Sequence, residues 1–97
     1  MTNQVIIKKE MGLSHSDFFR TINNAIGDKK LQVMPSGVVL KKINKDLKIS
    51  LGAERTRRIG SLIFPVTDVT MIFNGYTRKE IELVVKRFNL RFKRGGG

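Results

Sequence analysis

Arg55, Arg57 and Arg58 fall within four residues of one another, in a segment bounded by Gly52 and Gly60. A guanidinium presents a planar fork of donors that matches the oxygens of a phosphate or carboxylate in pairs. If the segment is extended, Arg55 and Arg57 project together and Arg58 points the other way. Lys41, Lys42 and Lys48 precede them, so residues 41–58 hold seven Lys and Arg against two acids. A second stretch, residues 78–94, has the same seven-to-two balance and includes Lys86, Arg87, Arg91, Lys93 and Arg94. Together these stretches supply nearly all of the formal net charge of +11, which comes from 19 Lys and Arg against 8 Asp and Glu over 97 residues. Concentrated like charge repels itself, and it fits a role in which an anionic partner neutralises it.

Other chemistries find fewer residues. His15 is the single histidine, and it sits between Ser14 and Ser16 with Asp17 next. Neighbours at one helix start do not converge on a shared reacting atom, as a nucleophile and its base must. Helix capping accounts for this cluster. There is no cysteine, which excludes disulfides, thiolate metal sites and thiol nucleophiles. The eight carboxylates are scattered without metal-ligand spacing. Asp68 lies in an apolar run, where alternation puts it with Thr70 on the polar side, exposed or paired with Arg57 or Arg58. The Gly52–Gly60 segment lacks the Gly-Lys-Ser/Thr ending of a Walker loop. No catalytic group, metal site or cofactor motif is expected, and an enzyme is the least supported class.

Aromatic residues bear on base stacking. The chain has six Phe, one Tyr and no Trp. Phe18, Phe19, Phe64, Phe73 and Phe88 fall where core is expected, which leaves Tyr76 and Phe92 beside basic groups at the surface. The Gly-flanked aromatic signature of an RNA-recognition sheet is absent, so backbone contact is the expected mode.

The elements that must position these groups follow from periodicity and capping. Residues 4–9 predict a strand. Ser14 with Asp17 approximates a capping box, Phe18, Ile22, Ala25 and Ile26 recur at helical spacing, and Gly27 closes the helix. Residues 31–34 and 38–43, parted by Pro35, Ser36 and Gly37, predict a bent strand or a small hairpin. Leu47, Ile49 and Leu51 alternate with Lys48 and Ser50, as in a strand with one wet face. Residues 52–60 form a connection or an extended edge. Residues 59–64 predict a strand interrupted at Pro65, and Thr67, Val69, Met71 and Phe73 mark a last one. Thr77 with Glu80 is a capping box, followed by Ile81, Val84, Val85 and Phe88 at helical spacing. In residues 89–94, Leu90 and Phe92 alternate with basic groups, as in a short edge strand or a basic arm that orders on a polyanion.

The expected fold is therefore α+β. A mostly antiparallel curved sheet of four to five strands carries two helices on one face, in the order β-α-β-β-β(-β)-α. In element order alone this is similar to the TATA-binding-protein-like architecture, a curved sheet backed by helices. Residues 1–94 make one domain, and 95–97 a flexible Gly tail. Arg94-Gly-Gly-Gly97 is similar to the Gly-Gly ends of ubiquitin-like and sulfur-carrier proteins over those four residues. Those proteins open with a strand hairpin before their helix, whereas this chain goes from strand to helix directly. A frayed end is the reading adopted. The short apolar run Val5, Ile6, Ile7 is too brief for a secretory leader, and the lack of cysteine fits a reducing cytoplasm.

The expected function is a small non-enzymatic domain that binds nucleic acid or another polyanion through phosphate contacts, with an acidic protein as a further partner class and no membrane. The alternative is a protein-interaction or small anionic-ligand module with a cleft between helix and sheet. The first requires folding to gather the cations on a common face.

Overall fold

In the computed structural model, which describes residues 4–93, the chain forms six strands and two helices. β1 (Gln4–Met11) precedes α1 (His15–Ile26). There follow β2 (Gln32–Met34), β3 (Gly37–Lys41), β4 (Asp46–Leu51), β5 (Arg55–Ile59) and β6 (Leu62–Asn74). α2 (Arg78–Lys93) closes the series. The strand order is β1-β6-β4-β3-β2, with β5 paired separately to β6, and every pairing is antiparallel. β6 is the centre of the fold, because β1, β4 and β5 all pair with it.

Local chemistry sets the helix ends. The Ser14 hydroxyl accepts from the Asp17 N–H at 3.0 Å, and the Asp17 carboxylate accepts from the Ser14 N–H at 3.3 Å. Gly27 ends α1 at φ 67°, a left-handed conformation that costs a side-chain-bearing residue strain. Thr77 and Glu80 close the reciprocal box at the start of α2, at 2.8 and 3.1 Å. No helix among the described residues is long and apolar enough to cross a membrane.

One face of the sheet is dry. Val38 and Leu40 of β3, Leu47, Ile49 and Leu51 of β4, and Val69, Met71 and Phe73 of β6 are buried with Phe18, Ile22 and Ala25 of α1 and Phe88 of α2. Both helices therefore lie on this side. The alternate residues, Lys8, Lys41, Lys48, Thr70 and Ile72 among them, face away, and no described element covers them.

Four expectations are revised. The sheet has six strands rather than four to five, because the Arg-rich segment takes its extended-edge alternative as the strand β5. β6 runs unbroken through Pro65, which pairs with Thr56 of β5. β1 ends its pairing at Thr67, so β6 has a neighbour on one side only at Pro65, the setting in which a strand accepts proline. Residues 89–93 are helical rather than extended, since Phe88 and Phe92 are four apart and their rings meet at 4.4 Å, with Phe92 also stacked 5.7 Å from Phe18. Tyr76 is buried, edge-on to Phe73 at 5.2 Å with the Lys45 ammonium 4.8 Å over its ring. Burial raises the pKa of its phenol.

Candidate polyanion-binding surface

The first cationic stretch is distributed by strand register. Lys41 opposes Asp46, and Lys48 lies between Val39 and Ile72, all on the uncovered face. Along β6 the same parity continues outward from Asp68 through Val66, Phe64 and Leu62, and these last three pair with Arg55, Arg57 and Ile59 of β5. Arg55 and Arg57 thus project together onto the uncovered side, while Arg58, opposite Ile63, takes the other face of the ribbon. Lys42 leaves this surface: its Nζ stands 3.5 Å from Asp28 just after α1.

Two of these arginines are already engaged. Arg55 donates to Asp68 at 2.9 Å and to Glu10 at 2.8 Å, and Arg57 donates to the other Glu10 oxygen at 2.8 Å. Asp68, and then Glu10, hold the Arg55 guanidinium still more firmly protonated than usual. Asp68 therefore takes Arg55 as its partner rather than Arg57 or Arg58. Arg58, Lys41 and Lys48 have no acidic partner among the described residues.

The second stretch lies across the core. Lys86, Arg87 and Arg91 are exposed on α2, whose Phe88 is buried against the sheet's dry face. Lys41, Lys48, Arg55 and Arg57 therefore lie on the opposite layer from Lys86, Arg87 and Arg91, and these two sets do not merge into one patch. Arg87 has a local task as well. α1 carries no base in its last turn, and a Cβ built on Gly27 would strike the Arg87 guanidinium, which places that cation at the negative end of the α1 dipole. Lys93 ends α2, and Arg94 with the Gly tail lies outside the described residues.

Lys8 was not among the expected site residues. Its register opposite Thr70 puts it on the uncovered face beside the row of Ile6, Ile72 and Lys48. The signal was the alternation of Ile7 and Lys8 in β1. Lys9 points to the helices instead, where its Nζ donates to Asn89 at 2.6 Å and lies 5.7 Å over the Phe88 ring.

Four further acids are also in use. Asp17 pairs with Arg20 and is held below the usual carboxylate range, chiefly by the Ser14 N–H. The Lys30 N–H does the same for Asp28, and Lys45, at 2.6 Å, for Glu80. Glu54 accepts from the His15 N–H at 2.9 Å, and the His15 ring nitrogen Nε2 lies 2.7 Å from the Gly52 carbonyl. The serine-histidine cluster is thus part of a cap and a loop contact. Between α2 and the sheet a cavity of about 220 Å³ is lined by Ile26, Leu40, Leu47, Tyr76 and Leu83. Its lysines, Lys42 and Lys45, face Asp28 and Glu80, so both cations are matched already.

No protein-family model, curated protein or solved structure matches the chain.

Proposed function

We propose that this chain is a small non-enzymatic domain that binds nucleic acid or another polyanion through phosphate contacts. The observation that carries the reading is the pattern of pairing. Glu10, Asp17, Asp28, Asp68 and Glu80 are committed to ion pairs, and Lys8, Lys41, Lys48, Arg58, Lys86, Arg87 and Arg91 have no acidic partner among the described residues. Cations left this way hold mobile anions in solution, and a polyanion gains affinity by exchanging its own condensed counterions for them. The single common face expected from the sequence does not form, so the reading rests on two separate surfaces, the uncovered sheet face and the exposed side of α2. The cleft beside Tyr76 is less suited to an anionic ligand, because its lysines are already neutralised.

Fluorescence anisotropy of a labelled duplex against salt tests the reading. A domain that neutralises about six phosphates loses roughly a thousandfold in affinity between about 50 and about 200 mM salt. Binding that is absent, or that is flat across this range, would remove the proposal.

A further inference from the structure

The β5–β6 ribbon projects from the body. β1 stops pairing at Thr67, so residues 55–66 form a two-stranded ribbon with no third strand, at one end of a molecule 49 Å long and 22 Å across. Its tip is apolar: Ile59, Leu62 and Ile63 are 59%, 67% and 59% exposed, and none belongs to the packed core. A two-stranded ribbon is marginal in water by itself. Here it is braced. Gly60, at φ 60°, with Ser61 makes the tight two-residue turn, and Gly at the first turn position matches the type II′ geometry that suits strand twist. At the root, Glu10 holds both Arg55 and Arg57.

Arg57 shares a ribbon face with Ile59 and Leu62, whereas Arg58 shares the opposite face with Ile63. Each broad side of the ribbon thus carries a cation, and the end carries aliphatic groups. We infer that this ribbon enters the major groove of duplex DNA, with Arg57 and Arg58 reaching phosphates on the two walls and Ile59, Leu62 and Ile63 meeting thymine methyl groups on the floor. The inference rests on the polyanion reading above. The groove of B-form DNA is about 12 Å wide and admits a two-stranded ribbon, and the thymine C5-methyl is its apolar feature. The A-form major groove of duplex RNA is too deep and narrow for side-chain reading. A second copy of the chain fits poorly, since pairing two β5 edges would bring Arg55, Arg57 and Arg58 against their like.

The test uses the full chain and a duplex with a central run of A·T pairs, alongside the same duplex with deoxyuridine in place of thymidine. Wild type should bind the thymidine duplex about tenfold more tightly, the gain from burying about two methyl groups. The double substitution Leu62→Ser with Ile63→Ser should remove that preference while leaving the slope against salt unchanged. Both side chains are exposed, and an unaltered thermal melt confirms that the body still folds. Arg58→Gln should lower the salt slope by about one. Steep salt dependence with no effect of the tip or of the methyl group would overturn the groove assignment and leave polyanion binding standing. Absence of binding to any duplex would overturn both. Tip-dependent binding to phosphatidylserine vesicles, with none to DNA, would assign the tip to a lipid surface instead.

Discussion

Arg57 donates to a carboxylate that Arg55 also holds, and Arg55 has Asp68 as a second acceptor. Arg57 can therefore exchange Glu10 for a phosphate while Arg55 keeps Glu10 from being stranded. Both Glu10 pairs are roughly half exposed, so each contributes little to stability. On the proposed polyanion reading, Glu10 is an internal competitor for the phosphate. Glu10→Gln should tighten duplex binding by up to about fivefold and steepen the salt slope by about one, read by anisotropy titration. Weaker binding by this variant would show that the pair orders Arg57 for its partner rather than competing with it.

Among the elements, the junction of the two helices couples stability to charge. Gly27 ends α1 in the left-handed region beneath the Arg87 guanidinium of α2. Gly27→Ala should cost about 1–2 kcal/mol from backbone strain alone, with an added penalty for displacing Arg87. In a urea-melt cycle with Arg87→Ala, the two changes should then sum to less than their separate costs. Additive costs would mean that the guanidinium moves aside freely. Such couplings differ in how far the chain's letters disclose them. Both capping boxes, the close of α1 and the alternation of β4 are written locally and could be read directly. β5 was legible only as one of two alternatives, a connection or an extended edge, because its residues are exposed on both faces and bear no apolar alternation to decide between them. Residues 89–93 fit two periods at once, and only the packing of Phe92 on Phe88 and Phe18 chooses the helix. The candidate site was legible in composition but not in placement. Register alone puts Lys8 on the same face as Lys48, and the layering that parts Lys86, Arg87 and Arg91 from Lys41 and Lys48 is a property of the tertiary fold.

For the whole molecule, Asp17, Asp28 and Glu80 link stability to pH. Asp17 and Asp28 are held below an ordinary value of 3.8, and Glu80 below 4.5. A carboxylate depressed in the folded state contributes stability that is complete above its unfolded pKa and disappears as pH falls through the lower folded one. The melting temperature should accordingly be level above about pH 5 and decline below it. Asp28→Asn and Glu80→Gln together should flatten that decline, and an unchanged acid limb would refute the assignment. The cations gain nothing to offset them during this loss, so the net charge of +11 at pH 7 rises as the acids are neutralised. The ribbon has a different relation to the body. Its end residues contribute nothing to the interior, so their identities are not constrained by folding. The same chassis can carry other fingertips, and if the ribbon reads DNA as inferred, its preference among sequences can drift while the architecture stays as it is.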